Sequence, residues 1–275
     1  MPELPEVETI RTELAGALAG RTIRSARTSR ADIVGFPSAR KLELDVRGRR
    51  VVAVRRTGKY LVLQLSGNRE LIFHLRLSGH LELGNGRTVP RFERARFVLS
   101  GGKTMSFIEP RALGRVYLVR AGKHPRCLAG MARMGLEPIA RGFTSEYLAG
   151  KLADRKASIK SLLLDQRVCC GVGNIYSDEA LFRAGISPAR PAGKLAQPEV
   201  RCLGRALRSV LKDGIKWCGT TLEDRRYRRP AGAQGEFQKH LKVVGREGQR
   251  CSCGGTIERI KFGNRSSYFC PRCQH

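Results

Sequence analysis

The clearest periodic signal lies near the start of the chain, where Val7, Ile10, Leu14 and Leu18 recur at spacings of three and four. On 3.6-residue geometry they share one narrow face, so the pattern predicts a helix over residues 4–19. Pro2 and Pro5 stand before it or in its first turn, where a missing backbone donor costs nothing. Between residues 20 and 120 the apolar positions form short alternating or β-rich runs (50–56, 60–65, 71–77, 96–99, 116–119) broken by Gly and Pro. Such runs predict a β-sandwich or barrel. Residues 131–142, with Gly135, Pro138 and Gly142, read as a linker, and the helical patterns over 144–156 and 158–165 predict a mainly helical second domain. Gly171-Val172-Gly173-Asn174 falls between two apolar helical runs, and Asn174 suits the N-cap of a helix over 175–184. A helix start presented on a glycine turn is a phosphate site, and a plain helix–helix turn has the same pattern. Residues 225–235 read as a basic, mobile segment.

Charge narrows the class. The 275 residues carry 52 Lys and Arg against 24 Asp and Glu, a formal net charge of +28. A field of that sign suits a polyanion, nucleic acid before all others. No run approaches the ~20 apolar residues of a spanning helix, and the opening is acidic where a signal peptide would be basic, so a soluble, intracellular protein is expected.

The cysteines add a metal. Nine is an odd number for a disulfide framework, and four of them, Cys251, Cys253, Cys270 and Cys273, fall in the last 25 residues. Four thiolates at such spacing suit one tetrahedral structural Zn²⁺, with the segments 256–260 and 267–269 pairing as a hairpin. The first pair is Cys-x-Cys, a tighter loop than the usual knuckle. So small a module has no core of its own, and metal binding is then its folding energy. Arg259, Lys261 and Arg265 would supply phosphate contacts. Cys127, Cys169, Cys170, Cys202 and Cys218 read as small buried or half-buried apolar residues.

The opening Met1-Pro2-Glu3-Leu4-Pro5-Glu6-Val7-Glu8, the segment Gly58-Lys59-Tyr60, the stretch from Ser158-Ile159-Lys160 through Gly171-Val172-Gly173-Asn174-Ile175-Tyr176, and the four C-terminal cysteines occur together in this order. In this the chain resembles the formamidopyrimidine-DNA glycosylases, essentially from end to end. The resemblance implies an α+β multidomain fold: a β-sandwich with flanking helices over 1–133, a linker over 134–142, a helix-two-turn-helix domain over 143–240 and a β-hairpin zinc finger over 241–275. DNA would be held in the cleft between.

It also implies roles. Once Met1 is removed, the Pro2 nitrogen is a secondary amine with a reference pKa of about 8, able to attack the sugar C1′ and expel a damaged base. The iminium formed has no N–H proton to lose, so it draws electrons from C2′ and permits β- and then δ-elimination of the flanking phosphates. Glu3 is implied as the general acid-base. Glu6 orients the amine or the first helix, or simply complements a helix N-terminus. Lys59 is implied as a catalytic residue that neutralises a phosphate beside the lesion and assists proton transfer, and Asn174, Arg265 and His74 are implied as phosphate contacts. Extraction of a base leaves a hole, which relatives fill with Met, Arg and Phe; the matching positions here are Leu77, Arg111 and Leu113, and two of the three depart from the pattern. The residues from Glu223 to Gly235 would cover the flipped base. The expected protein is a monomeric DNA repair glycosylase and AP lyase, acting in the cytoplasm on nucleoid DNA and excising oxidised or ring-opened purines from damaged double-stranded DNA. The alternatives are excision of oxidised pyrimidines in the manner of endonuclease VIII, or a zinc-finger DNA-binding protein without catalysis.

Overall fold

A computed structural model describes residues 1–223 and 226–275; Asp224 and Arg225, part of the expected covering segment, lie outside the described residues. The chain divides into two compact units: Met1–Arg133 with Trp217–Glu236, and Met134–Lys216 with Phe237–His275.

In the first unit helix α1 spans Leu4–Leu18 and buries Val7, Ile10, Leu14 and Leu18, the face its spacing predicts. After it come β1 (Ile23–Thr28), β2 (Val34–Phe36), α2 (Ala39–Val46), β3 (Val51–Thr57), β4 (Tyr60–Leu65), β5 (Arg69–His74), β6 (His80–Gly84), β7 (Glu93–Leu99), β8 (Thr104–Ile108), β9 (Arg115–Arg120) and the short α3 (Ala129–Ala132). The strands form a four-stranded sheet, β1-β7-β8-β6, and a five-stranded sheet, β2-β9-β5-β4-β3. Their inner faces share one core, in which Phe73 of β5 meets Phe97 and Phe107 edge-on at centroid distances of 5.8 and 5.6 Å. This is a sandwich, with the buried side of α1 completing its core.

The described residues of Trp217–Glu236, a stretch inside the expected 143–240 domain, belong to the first compact unit. Tyr227 is buried in the sandwich core. Its hydroxyl donates to the Cys218 carbonyl at 3.0 Å, Arg229 pairs with Glu13, and the Leu83 amide donates to the Pro230 carbonyl at 3.1 Å. The described part of the segment read as mobile is therefore anchored, because an aromatic ring and a charge pair give it burial that its polar composition does not suggest.

The second unit contains α4 (Ser145–Leu152), α5 (Ile159–Leu164), α6 (Asn174–Ala184), α7 (Gln197–Lys216) and a hairpin of β10 (Glu258–Phe262) and β11 (Arg265–Phe269). Thr144 and Ser158 cap α4 and α5 through their hydroxyls, as short-chain oxygen acceptors do. Helix α6 departs from expectation: Gly173 is its N-cap and Asn174 its first residue. The Asn174 side chain is drawn away from the helix, its Nδ2 donating to the Ser266 carbonyl at 2.8 Å. Among the described residues no helix is long and apolar enough to cross a membrane. Of the scattered cysteines, Cys169 and Cys170 are buried and Cys202 and Cys218 half-buried, whereas Cys127 is exposed.

Candidate active site and zinc centre

In the first unit the candidate nucleophile is placed by helix capping. Pro2 is buried immediately before α1, and Glu3 is the N-cap residue. The Glu3 carboxylate accepts the Glu6 amide, while Glu6 Oε2 accepts the Glu3 amide at 2.7 Å. This reciprocal box satisfies two amides that a helix start leaves open and fixes the direction in which the chain enters the helix. The other Glu6 oxygen accepts the Thr220 amide at 2.7 Å. Gly219 has no alternative here: a Cβ on it would lie 2.8 Å from Glu6 Cγ. One buried carboxylate thus holds both the backbone next to Pro2 and the segment Gly219–Thr220.

Lys59 is the second residue of the two-residue loop joining β3 to β4, where Thr57 pairs with Tyr60. It is 7% exposed. The hairpin is tied to α1 by Arg56, whose Nε donates to Glu8 Oε2 at 2.8 Å and whose Nη1 donates to the Gly58 carbonyl at 3.0 Å. His74 ends β5 opposite Tyr60, with the rings edge-on at 4.5 Å. Burial pushes His74 down to about 3, and the positive charges of Arg76 and Lys59 act in the same direction. His74 is therefore neutral near pH 7, and its ring could meet an anion only as an N–H donor.

Leu77, Arg111 and Leu113 stand on two exposed loops. The sequence did not mark what joins these loops: Glu109, fully buried. Its carboxylate accepts from Ser78 Oγ, from the Arg111 amide at 3.1 Å and from the Gly114 amide at 2.7 Å. Within Glu-Pro-Arg a glutamate reads as a surface residue, and only tertiary structure reveals it as the joint between the loops.

The second unit gathers the rest. Asn174, at the start of α6, is tied to Ser266, the neighbour of the exposed Arg265 on β11. Beneath them Lys160 is completely buried; its Nζ donates to the Asn174 carbonyl at 2.9 Å, Ser177 Oγ at 2.8 Å and Asp178 Oδ1 at 2.7 Å. Asp178 also accepts from Ser267 Oγ and, at 3.2 Å, from the Tyr268 amide. The buried ion pair joins α5 to α6, and the further bonds of Asp178 join α6 to the hairpin, so the pair's remaining hydrogen-bonding capacity is used, the condition under which such a pair is tolerated. Glu179 accepts three consecutive amides, Lys242, Val243 and Val244, at 2.9–3.1 Å. Neither acid was singled out from sequence, because the backbone amides they accept lie more than 60 residues away.

Cys251, Cys253, Cys270 and Cys273 bring their sulfurs within 4.8 Å of one another. Two pairs stand at 3.9 and 3.5 Å. Thiolates at about 2.3 Å from a tetrahedral zinc lie about 3.8 Å apart, so the set fits Zn²⁺. The short Cys-x-Cys loop closes through glycine: Gly254 donates to the Cys251 carbonyl at 2.9 Å, and Cys251 donates to the Gly255 carbonyl at 2.7 Å. A Cβ on Gly255 would fall 2.8 Å from Arg272 Cβ and 3.0 Å from Cys270 Sγ.

A β-sandwich whose first helix presents a capped Pro-Glu start, with a helical unit that carries a four-cysteine finger, defines a class of protein that works on nucleic acid. Comparison with known proteins makes this specific. Residues 1–116 match the formamidopyrimidine-DNA glycosylase N-terminal domain, 134–226 its H2TH domain, and 248–275 the zinc finger found in FPG and IleRS. The formamidopyrimidine-DNA glycosylase of Thermus thermophilus is 42% identical over 275 residues, covering 100% of this chain and 98% of that protein. That of Cereibacter sphaeroides is 40% identical over 289 residues, with both proteins fully covered. The crystal structure of the Thermus thermophilus MutM (Fpg) protein superposes with a TM-score of 0.91 at 41% identity, over 99% of this chain and 98% of that one. Lactococcus lactis Fpg in complex with a FAPY-dG containing DNA gives 0.90 at 29% identity, over 99% of each. The chain belongs to the formamidopyrimidine-DNA glycosylase family.

Proposed function

We propose that this protein excises oxidised or ring-opened purines from double-stranded DNA and then nicks the strand, with Pro2 as nucleophile. The observation that carries the reading is the capping box of Glu3 and Glu6, which seats Pro2 at the head of a buried helix start. While Met1 is attached the Pro2 nitrogen is an amide; its removal leaves a secondary amine. The nitrogen lone pair forms a bond to C1′ as the bond from C1′ to the base breaks, and Glu3 delivers the proton that the leaving group takes up. Glu3, left as a carboxylate, takes the proton from the attacking nitrogen and passes it to the sugar O4′ as the C1′–O4′ bond breaks, which leaves the N–C1′ bond as an iminium. Loss of the C2′ proton expels the 3′ phosphate, and a second elimination expels the 5′ phosphate.

The neighbours position these steps. Glu6, with both oxygens occupied by backbone amides, holds the geometry and moves no proton. Lys59 neutralises a phosphate beside the lesion, and His74 adds a neutral hydrogen bond. Asn174 and Arg265, held together by the hairpin, grip the backbone, while Leu77, Arg111 and Leu113 occupy the space vacated by the base. Zinc fixes the fold of the finger. The reading extends to a monomer acting on nucleoid DNA in the cytoplasm, with chemistry confined to one chain.

Borohydride reduction during turnover tests it. A covalent protein–DNA adduct should form with a duplex carrying an oxidised guanine, through the N-terminal residue, and mass determination should show Met1 gone. An active preparation that retains Met1, or an adduct mapped to a lysine, rules Pro2 out.

A further inference from the structure

Phe92 is 39% exposed, and its backbone sits in the left-handed region at φ 63. A bulky side chain adopts that conformation rarely, and where it does the surroundings must impose it. Here the Phe92 carbonyl accepts the Glu109 amide at 3.1 Å, and the Glu93 amide closes a turn onto the Pro90 carbonyl at 3.2 Å. Arg94 donates to the carbonyls of Glu109 at 2.8 Å and Pro110 at 3.4 Å. The ring is thereby fixed to the loop that bears Arg111. The guanidinium carbons of Arg91 and Arg94 lie 4.6 and 5.7 Å from its centroid.

Phe92 and Arg91 line an open depression of about 550 Å³, together with His80, Arg111, Arg226 and Arg228. His80 Nδ1 is buried without a hydrogen-bond partner, a state that in a native structure calls for an explanation. A partly exposed aromatic face, a rim of guanidinium groups and an unfilled ring nitrogen suit a flat heteroaromatic group attached to a phosphate chain. Free phosphate would leave the ring unused, and an apolar ligand would make no use of the guanidinium rim.

We infer that Phe92 is the platform on which the base opposite the lesion stacks, beside Arg111, so that the two residues together read the undamaged strand. This rests on the base-excising function proposed above. Leu113 offers no π-face, so the aromatic contact at these loops falls to Phe92.

The test uses a duplex with 2-aminopurine opposite a tetrahydrofuran abasic analogue, bound to the full zinc-loaded protein at saturation. Stacking quenches 2-aminopurine. The bound duplex should be several-fold brighter with Phe92→Ala and with Phe92→Leu than with the parent. In single-turnover excision, both variants should lower the ratio of rates opposite cytosine and opposite adenine. Phe92→Leu keeps the apolar bulk without the ring, so it carries the test should the alanine variant fold poorly. Bound fluorescence equal to the parent in Phe92→Leu overturns the platform. If the parent itself neither prefers the abasic duplex to an undamaged one nor forms a borohydride adduct, the proposed function falls, and that failure is visible before any Phe92 variant is made.

Discussion

A histidine near a lysine and an arginine looks in sequence like one more cation for phosphate, but burial decides otherwise for His74. Its ordinary value is 6.5 and its value in the fold about 3, set by burial and then by Arg76 and Lys59. The unfolded chain therefore binds a proton that the folded chain does not across that interval, and stability is lost as the pH falls from about 6.5 towards 3. The slope is up to about 1.4 kcal/mol per pH unit. Urea unfolding between pH 7 and pH 4 should show this limb, and His74→Gln should flatten it even if it lowers stability at pH 7. Equal slopes in parent and variant would place the acid sensitivity in another group. At this scale the sequence is most legible where a motif is local: Pro2, Glu3 and Glu6 lie within five residues, and helix capping brings them together. It does not show Glu109, Arg56 or Lys160, each of which bonds to a separate segment of the chain, at Ser78, Glu8 and Asp178. A buried carboxylate and a surface one are spelled alike.

Elements were legible where burial follows a period, and less so where a side chain serves another element. The spacing of Val7, Ile10, Leu14 and Leu18 was enough to place α1, whereas the start of α6 was misjudged because Asn174 has a competing partner in Ser266. That competition joins helix to finger. Asp178, Asn174 and Gln274 all bond across it, Gln274 Nε2 reaching the Ile186 carbonyl at 2.9 Å. The hairpin is thus held by zinc at one end and by α6 along its side. Cys270→Ser should release the metal, measured by zinc content, and loosen β10 and β11, since binding the ion is part of folding such a module. Helices α4 to α7 keep their own core, so far-UV circular dichroism should change little. DNA affinity should fall about ten- to hundredfold, as expected for loss of one phosphate hydrogen bond to a charged group at about 1.5–3 kcal/mol. Parent-like affinity in a zinc-free protein would show that α6 alone orders Arg265.

At the scale of the whole molecule, charge was the most legible property and the arrangement of segments the least. Trp217–Glu236 joins the first unit through Tyr227, Arg229 and the Glu6 contact to Thr220, pairings across some 200 residues that no local pattern announces. The net charge of +28, by contrast, is read directly, and it makes a thermodynamic commitment. Each phosphate neutralised releases counterions and contributes about −0.9 to the slope of log K against log salt. Lys59 and Arg265 alone would give about −1.8, and the remaining basic surface should make the measured slope steeper. Individual residues can then be sorted by kind of contact. If Arg265 grips a phosphate as proposed, Arg265→Gln should weaken binding to every duplex alike and reduce the slope by about 0.9. With Arg111 proposed as a base contact, Arg111→Gln should leave the slope unchanged while the preference for cytosine opposite the lesion falls. Titrations at several salt concentrations, with lesion duplexes paired to cytosine and to adenine, separate the two. An unchanged slope in Arg265→Gln would remove that residue from the phosphate grip, and a reduced slope in Arg111→Gln would make it a phosphate ligand, not a reader of the opposite base.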